Sequence, residues 1–576
     1  MASLFLYYYS VLQVDHACAW SHHPLALAYR NNAVFGNLNR LKGNDHHGFH
    51  RDPLIAFQSS ESDSSSDSDT LAPPIPHLVD DNAPSWEDLR KQLLATSTGK
   101  RLQLESIDRE KGHGPPHAHA KFRLFDAKAE SEIRVTFYRD QAAWCPYCQK
   151  VWLLLEEKRI PYRVKTVPLN AYGDKPAWYT RLVDGGKLPT LELDGTLYRE
   201  SLEIMKVLDD EFPDCGPKMF PSNESNRTNL LFELEQELQR DWFSLTFYPV
   251  EGGRLRSART NLLQTLQKVD DELGKIKSGP WFLGGDAPSA VDLQYVTTVE
   301  RIIASVLYYK GLVIRGKFVN VDEWLAAFER RSSYAASKSD YYTLIMAMPS
   351  QNGPGYMTAA GDVDDDKNAN HDASSIIYGF DDAWKLPLQL TDDPSSSFEP
   401  IPSSQFRLGE PSEFRHEAAF RVISNHDGIV EFACRGAGEA GRPSYHAELA
   451  DPYAESNEDF IAPVDVCLRH VTNALLNGVD DGAGVATVVA AAVIDLEGKG
   501  GTGELREDWE SYIDEGTGRT YFWNYETGDV SYTAPTRQLD TCLVYLRDRV
   551  GVPRDMNLPA AMQLRAHLNW CIDLMK

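Results

Sequence analysis

The sequence predicts a multidomain chain built around an α/β domain and an all-helical domain, and three observations support this. A run of strand-forming residues at 133–138 gives way to a helix-like run that starts beside Cys145-Pro-Tyr-Cys148. Further strand-like and helix-like runs continue to residue 208, and apolar residues then recur at helical spacing within 222–345. A chain of 576 residues has room for additional domains.

The α/β part has its predicted elements in an informative order. After the strand 133–138 and the helix from 149 come a strand at 160–167, two strands around Gly195, and a helix at 199–208. This order is a βαβ unit followed by a hairpin and a helix, as in a thioredoxin-like domain. We therefore predict a thioredoxin-like domain over residues 131–215.

The Cys-x-x-Cys motif lies where a strand changes into a helix, which favours sulfur chemistry. Cys145 would stand at the helix N-terminus, where backbone N–H groups and the helix dipole stabilise a thiolate. Cys148, one turn further along, would be more shielded and could attack a mixed disulfide on Cys145. A zinc half-site and a pair of structural thiols remain alternatives, although the other cysteines are isolated in the sequence.

Four short motifs occur in order along this region: Cys145-Pro-Tyr-Cys148, Lys175-Pro-Ala-Trp178, Lys187-Leu-Pro-Thr190 and Glu200-Ser201. With them, residues 133–345 resemble the cysteine-type glutathione transferases of the omega, lambda and dehydroascorbate-reductase groups. The resemblance implies glutathione as co-substrate, no metal, and a catalytic cysteine that forms a mixed disulfide with glutathione. It also implies thiol transfer, dehydroascorbate-type reduction and removal of glutathione from adducts.

The same resemblance assigns contacts with glutathione to particular residues. Leu188 would present its backbone to the cysteinyl part of glutathione beside a cis bond to Pro189, with a trans proline at a strand end as the alternative. Glu200 and Ser201 would bind the γ-glutamyl end, although Ser201 could also be a plain helix cap. Lys175 would approach the glycyl carboxylate.

Cys148 departs from the pattern of most omega and lambda members, which carry Ala or a similar residue at that position. Cys-Pro-Tyr-Cys is the motif that glutaredoxins use, so a dithiol cycle remains open beside a monothiol cycle. Two further functions stay open: ordinary conjugation of glutathione to electrophiles, and a non-catalytic adaptor that keeps the fold.

The helical domain is predicted over residues 222–345. The stretch 279–292 resembles the loop and capping box that precede the buried core helix of this family, with Ser289 as the cap and Asp292 returning the bond. Helical spacing of leucines supports the flanking helices: Leu230, Leu231, Leu234 and Leu238, then Leu262, Leu263, Leu266 and Leu273.

Charge and cysteine content narrow the classes of partner. A net charge of −26 opposes binding to nucleic acid and to anionic membranes. Eight cysteines without dense spacing do not indicate a disulfide scaffold, so we expect a reducing compartment. The expected partners are glutathione and a small or protein thiol or disulfide, with a homodimer possible.

The N-terminal part predicts targeting and a linker. Residues 1–55 combine an apolar run, an Ala-x-Ala site at 17–19 and a basic stretch, and so resemble the bipartite plastid presequence of algae with complex plastids. The plastid is therefore the predicted location, with the cytoplasm second. The apolar run is shorter than the ~20 residues of a membrane span. Residues 56–84 form an acidic, serine-rich stretch that we expect to be disordered.

Residues 85–130 are predicted as an extension that packs on the core, with a helix at 86–94. Three histidines, His113, His117 and His119, could bind a metal ion. The Gly-Pro-Pro sequence between them fits a packed loop better.

The C-terminal third is predicted as a linker (347–405), a folded region without recognisable chemistry (406–500), a WW-like domain (505–537) and helices (538–576). Short aromatic strands separated by Gly turns support the WW-like domain. By resemblance, Tyr521, Trp523 and Tyr532 would clasp a proline-rich peptide. Tyr532 stands where that family usually has its second Trp, and packing against the helix at 538–550 is the alternative use of this sheet.

Overall fold

A computed structural model describes residues 83–169, 171–357, 412–441, 449–479, 485, 509–513, 520–524, 530–531 and 539–575. The predicted presequence and acidic linker lie outside the described residues. Most of the predicted linker at 347–405 also lies outside them.

A five-stranded mixed sheet forms the centre of the α/β domain. Its strands are β1 (Phe122–Arg123), β2 (Val135–Asp140), β3 (Tyr162–Val167), β4 (Thr190–Leu193) and β5 (Thr196–Arg199). They lie in the order β1-β3-β2-β4-β5, with β2 and β3 parallel and the other neighbours antiparallel. The predicted βαβ unit, hairpin and thioredoxin-like fold are thereby confirmed.

Three helices flank this sheet: α3 (Pro146–Lys158), α4 (Ala177–Leu182) and α5 (Ser201–Glu211). Most of α3 is buried, including charged residues, because the helix packs against both α5 and the helical domain. A buried ion pair, Lys158 Nζ to Asp209 Oδ1 at 2.9 Å, joins α3 to α5. Breaking such a pair typically costs 3–5 kcal/mol.

The helical domain contains α6 (Ser225–Thr246), α7 (Gly252–Gly274), α8 (Ala290–Lys310), α9 (Val319–Glu329), α10 (Ser332–Ser337) and α11 (Tyr341–Asn352). The predicted capping box at the start of the buried helix α8 is confirmed, since Asp292 accepts bonds from the backbone N–H and the hydroxyl of Ser289 at 2.8 and 2.7 Å. The domain ends later than predicted, because α11 continues through Pro349 to Asn352.

Two regions that are far apart along the chain share a second core. Among the described residues, seven helices form this core: α1 (Trp86–Ala95), α2 (Ser97–Glu110), α12 (Ser412–Ser424), α13 (His426–Ala433), α14 (Ile461–Asn477), α15 (Leu539–Arg549) and α16 (Leu558–Asp573). Helices α1 and α2 pack directly against α12, and α1 also packs against α14. We call residues 86–110, 412–441, 449–477 and 539–573 the terminal module. Leu89, Leu93 and Leu102 are buried in its core.

This arrangement corrects the expectation that residues 85–130 pack on the thioredoxin-like core. Only the later part of the segment does so, through β1, which pairs with β3. The earlier helices pack in the terminal module because the apolar face of α1 and α2 matches apolar faces of α12 and α14. The Trp86 indole also donates to Asp465 Oδ1 on α14 at 2.7 Å.

The terminal module contacts the helical domain through buried polar groups at the start of α11. Arg565 on α16 donates to Asp340 Oδ2 at 2.5 Å, and both side chains are buried. Asp340 also caps α11 by accepting from Thr343 N at 2.9 Å. The Tyr342 hydroxyl donates to the carbonyl of Asp548 at 2.9 Å. The module is therefore fixed to the core by directional bonds as well as by apolar contact.

Three short strands form a separate antiparallel sheet in the order β6-β7-β8. They are β6 (Trp509–Ile513), β7 (Thr520–Asn524) and β8 (Val530–Ser531). This matches the strand pattern predicted for 505–537. Within the described residues, no helix is long and apolar enough to serve as a membrane span.

Candidate functional site

The site lies at one edge of the five-stranded sheet, where several chain segments end together. β2 ends at Asp140 and β3 ends at Val167, and these two residues are register partners. β4 begins at Thr190, which pairs with the last residue of β5. Because β4 runs antiparallel to β2, its beginning lies beside the end of β2. The segments at this edge carry the predicted residues Cys145, Lys175, Leu188, Pro189, Glu200 and Ser201.

Cys145 is the residue immediately before α3, as the sequence predicts. It is the N-cap, Pro146 is the first helical residue, and the carbonyl of Cys145 accepts from Gln149 N at 3.0 Å. Only 6% of Cys145 is exposed. The backbone N–H groups of the first turn have no acceptor within the helix, so this end of α3 favours a negatively charged group.

Cys148 is more deeply buried than Cys145, with 2% of the residue exposed. Burial raises the pKa of its thiol well above the ordinary value, and a hydrogen bond to Cys145 acts in the same direction. Cys148 therefore remains a thiol at neutral pH and can donate its S–H to the sulfur of Cys145.

Asp140 anchors the loop before Cys145, and the sequence analysis missed it. Its side chain is 1% exposed, and Oδ2 accepts from the backbone N–H of Trp144 at 2.7 Å and of Cys145 at 3.2 Å. Two bonds to an ionised acceptor hold the loop in one conformation. The available signal was an acidic residue at the end of an apolar strand, five positions before Cys145.

Arg301 of α8 connects the helical domain to the same loop. It is buried and donates to the carbonyl of Trp144 and, at 3.1 Å, to Oε1 of Gln149. Its guanidinium also lies 5.3 Å from the centre of the Trp144 ring. No local sequence pattern could indicate this role, because Arg301 is far from the motif along the chain.

The peptide bond between Leu188 and Pro189 is cis, as predicted. The loop before it is held by Tyr179, whose hydroxyl donates to the carbonyl of Lys187 at 2.7 Å. The Thr190 hydroxyl donates to the same carbonyl at 3.1 Å. These two bonds fix the carbonyl of Lys187, directly before Leu188.

Glu200 is the N-cap of α5, and the helix begins at Ser201. This corrects the alternative in which Ser201 is the cap. Glu200 has a left-handed backbone with φ of 63° and its side chain makes no capping bond. A non-glycine residue in this conformation carries a conformational cost, a feature that is frequent at ligand sites. The first N–H groups of α5 are thus available to an anion.

Lys175 is half-buried near the two cysteines, and its ammonium donates to the carbonyl of Pro168 at 2.8 Å. Burial lowers the pKa of Lys175, while the negative charge that Cys148 or Cys145 carries when it is a thiolate opposes this change. The positive charge of Lys175 therefore interacts electrostatically with the two cysteines. To bind a carboxylate of glutathione, the Lys175 ammonium would have to break its hydrogen bond to the carbonyl of Pro168.

Asp140, Cys145 and Cys148 each offer a ligand atom within 4.8 Å of the others. Such a set could hold a soft cation with one open coordination position. Two features oppose this use. The Asp140 carboxylate already accepts two backbone bonds, and a helix N-terminus favours anions over cations.

His113, His117 and His119, which could have bound a metal ion, do not form a metal-binding group within the described residues. His113 is exposed, whereas Nδ1 of His117 accepts from the backbone N–H of His119 at 3.0 Å. Burial, followed by the charge of Arg421, lowers the pKa of both His117 and His119, the latter to about 3. These two rings are neutral loop residues, and the loop interpretation is favoured.

The three-stranded sheet is the second predicted site. Tyr512 and Trp523 are 40% and 37% exposed, and their ring centres are 6.4 Å apart. Tyr521 pairs in register with Tyr512, but its side chain and all of Tyr532 lie outside the described residues. Binding of a proline-rich peptide to Tyr521, Trp523 and Tyr532 stays a prediction.

The fold and the first site define a thiol protein of the thioredoxin-like class with an attached helical domain. Residues 144–211 match the model of the glutathione S-transferase N-terminal domain, and residues 233–327 match that of the C-terminal domain.

Curated relatives agree with these matches. Protein IN2-1 homolog A of Oryza sativa subsp. japonica is 30% identical over 225 residues, covering 39% of this chain and 85% of the relative. Glutathione S-transferase L3 of Arabidopsis thaliana is 31% identical over 199 residues, covering 34% and 79%. Glutathione S-transferase DHAR2 of the same plant is 26% identical over 195 residues, covering 34% and 84%. The chain therefore belongs to the glutathione S-transferase family.

Proposed function

We propose that this protein is a glutathione-dependent thiol transferase and reductase that works through a mixed disulfide between Cys145 and glutathione. The observation that carries the proposal is the position of Cys145 at the N-terminus of α3, at the sheet edge that also holds the cis Leu188–Pro189 bond. A cysteine at this position forms disulfides, whereas conjugating relatives need a hydroxyl to steady a glutathione thiolate.

In the first step, the Cys145 thiolate attacks the glutathionyl sulfur of an adduct. A new disulfide forms between Cys145 and glutathione, the old sulfur–sulfur bond breaks, and the substrate leaves as a thiolate that takes up a proton. In the second step, a glutathione thiolate attacks the mixed disulfide and releases glutathione disulfide. With dehydroascorbate as substrate, two glutathione molecules would supply the two electrons.

The residues around Cys145 would hold glutathione by its polar groups. The backbone of Leu188 would pair with the cysteinyl part of glutathione, because bonds from Tyr179 and Thr190 to Lys187 fix that loop. Glu200 would take the γ-glutamyl ammonium, and the N–H groups of α5 with Ser201 would take its carboxylate. The Lys175 ammonium would bind the glycyl carboxylate of glutathione.

Resolution by a second glutathione is favoured over resolution by Cys148. Burial keeps Cys148 protonated at neutral pH, and a thiol attacks a disulfide far more slowly than a thiolate. Cys148 then acts mainly as a hydrogen-bond donor to Cys145.

The test is mass spectrometry of the full chain after brief incubation with glutathione disulfide at pH 7, followed by peptide mapping. We expect one glutathione on Cys145 in the wild type and in Cys148→Ser, and none at this site in Cys145→Ser. A Cys145–Cys148 disulfide in the wild type would indicate the dithiol cycle instead. The absence of any adduct at Cys145 would contradict the proposal.

Two other functions make distinct predictions. If the protein conjugates glutathione to electrophiles, Cys145→Ser should raise conjugating activity by restoring a hydroxyl, and loss of all activity would contradict that function. If the protein is an adaptor, the transferase core should not bind glutathione, whereas Tyr521, Trp523 and Tyr532 should bind a proline-rich peptide. The observation that favours the adaptor function is the exposure of two aromatic side chains, Tyr512 and Trp523, on the three-stranded sheet.

Location and assembly complete the proposal. The composition of residues 1–55 supports delivery to a plastid, with the cytoplasm as the second location. Fusing these residues to a fluorescent protein tests this, and diffuse fluorescence would contradict it. Light scattering on the purified full chain would measure whether a homodimer forms.

A further inference from the structure

Four cysteines that are isolated in the sequence come together in two pairs inside the terminal module. Cys434 is hydrogen-bonded to Cys542, and Cys467 is hydrogen-bonded to Cys571. All four residues are 0% exposed, and every described cysteine is a free thiol. The members of each pair are about 100 residues apart along the chain, so no spacing rule could have revealed the pairing.

The first pair depends on a close approach of two backbones. Cys434 begins the turn Cys434–Ala437 after α13, and Cys542 lies in α15. A Cβ on Gly436 would collide with the carbonyl oxygen of Thr541 and with the side chain of Tyr545. Only glycine therefore lets the turn that begins at Cys434 approach the part of α15 that carries Cys542 this closely.

The second pair joins two long helices of the module. Cys467 lies in the middle of α14, Cys571 lies near the end of α16, and these helices pack together in the same apolar core. The hydrogen bond with Cys571 and burial both raise the pKa of the Cys467 thiol.

A shared metal ion does not account for this arrangement. Among the described residues, Asp140, Cys145 and Cys148 form the one group of three ligands within mutual reach of a metal ion. The four thiols of the terminal module do not form such a group. Buried cysteines can act simply as small apolar residues, but that use does not require each of them to form a hydrogen bond with another cysteine.

We propose that the terminal module is a site of reversible oxidation, in which Cys434 bonds to Cys542 and Cys467 bonds to Cys571. The oxidant is a low-molecular-weight disulfide such as glutathione disulfide. One thiolate of a pair attacks a sulfur of the oxidant and releases a first glutathione thiolate. The second cysteine loses its proton, attacks the mixed disulfide and releases another glutathione. Each pair gives up two electrons and two protons, and the oxidant becomes two glutathione molecules.

Burial makes this oxidation slow and dependent on opening of the module. Thiols in an apolar core are unreactive while the core is closed, so exchange requires local opening. Once formed, the two bonds would tie the turn after α13 to α15 and α14 to α16. Each disulfide bond closes a long loop of the chain, and this stabilises the module chiefly by restricting its unfolded state.

The experiment uses the full chain with added glutathione disulfide at pH 8, with and without urea below the unfolding transition. Free thiols are alkylated, the protein is digested without reduction, and linked peptides are identified by mass. We expect Cys434–Cys542 and Cys467–Cys571 links, each two hydrogens lighter than the free thiols, forming faster in urea. The oxidised protein should unfold at a temperature roughly 10 °C higher than the reduced protein.

Matched variants separate the two pairs from each other and from the first site. Cys542→Ala should remove only the first link, Cys571→Ala only the second, and Cys215→Ala neither. Cys145→Ser should retain both links, so the result does not depend on the proposed catalytic function. The inference is overturned if refolding in a glutathione redox buffer yields scrambled pairs, single glutathione adducts or unlinked thiols at these positions.

Discussion

At the scale of single residues, the thiol of Cys148 determines how a mixed disulfide on Cys145 is resolved. Cys148 lies beside Cys145 but is buried almost completely, and burial together with the negative charge of Asp140 raises its pKa without needing a charge on Cys145. The distance between the two cysteines permits a dithiol cycle. The protonation of Cys148 opposes it at neutral pH.

The pH dependence of the adduct follows from this raised pKa. Because the pKa of Cys148 lies above the ordinary value near 8.5, its thiolate becomes abundant only at alkaline pH. We expect the adduct on Cys145 to persist at pH 7 and to convert to the Cys145–Cys148 disulfide increasingly as the pH rises beyond the ordinary pKa of a cysteine. Stopped samples analysed by mass from pH 6 to 10 measure this. A pH-independent conversion would contradict it, and Cys148→Ser should show no conversion.

Asp140 contributes to the same equilibrium through its charge. In Asp140→Asn, the repulsion between the carboxylate and a Cys148 thiolate is lost, so the pKa of Cys148 should fall. We expect internal disulfide formation to begin at a lower pH. We also expect a loss of roughly 1–2 kcal/mol in unfolding free energy, because the bonds to Trp144 and Cys145 lose their charge assistance.

The matched control for Asp140→Asn is Asp126→Asn, since the Asp126 side chain is exposed. The control should change neither the pH of onset nor the stability. An onset shifted to higher pH in Asp140→Asn would mean that Asp140 accepts the proton of Cys148, which contradicts a purely electrostatic effect.

At the scale of secondary-structure elements, the loop between β3 and α4 is held from the terminal module. The Tyr453 hydroxyl donates to Asp174 Oδ2 at 2.6 Å and accepts from Asp174 N at 3.1 Å. Leu449 and Ala450 belong to the same apolar core as Cys145 and Cys148. The module therefore supports the loop that carries Lys175.

Removing this support should weaken glutathione binding without impairing the chemistry of Cys145. In Tyr453→Phe, we expect KM for glutathione to rise about three- to tenfold with kcat little changed, the range for one or two hydrogen bonds at roughly 1 kcal/mol. Tyr248→Phe is the control, because Tyr248 is exposed on the helical domain. An equal fall in kcat with unchanged KM would contradict a positioning role.

Local patterns predicted most of the core elements and several residues of the site. Strand and helix patterns and the capping box of Ser289 and Asp292 depend on short stretches of chain, which a sequence displays directly. The expectation of a cis bond at Pro189 follows from the resemblance to the cysteine-type glutathione transferases. The contribution of Arg301 and the place of α1 and α2 depend on contacts between distant segments. Such contacts leave no periodic signal in one sequence, so they required the structure.

At the scale of the whole molecule, the transferase core lies between two chain segments that fold together. Removal of residues 412–576 would expose Leu89, Leu93 and Leu102, each worth on the order of 2 kcal/mol when buried. It would also leave Asp340 without Arg565. A fragment that contains the transferase core and α1 and α2 but lacks residues 412–576 should therefore be less stable than the full chain.

Two fragments test this consequence. We expect residues 83–357 to bind a hydrophobic dye and to self-associate, because α1 and α2 lose their partners. Residues 112–357, which lack those helices but keep β1, should bind less dye and remain monomeric. Dye fluorescence and light scattering measure both properties. Equal behaviour of the two fragments would contradict the assignment of α1 and α2 to the terminal module.

The core shared by these two distant regions of the chain also has a consequence for synthesis. Helices α1 and α2 leave the ribosome roughly 300 residues before α12, which at about 5–20 residues per second is a delay of roughly 15–60 s. During this interval the transferase core can fold on the nascent chain, while the leucine face of α1 and α2 remains uncovered. We expect this face to need shielding in the cell until the helices α12 to α16 have been synthesised.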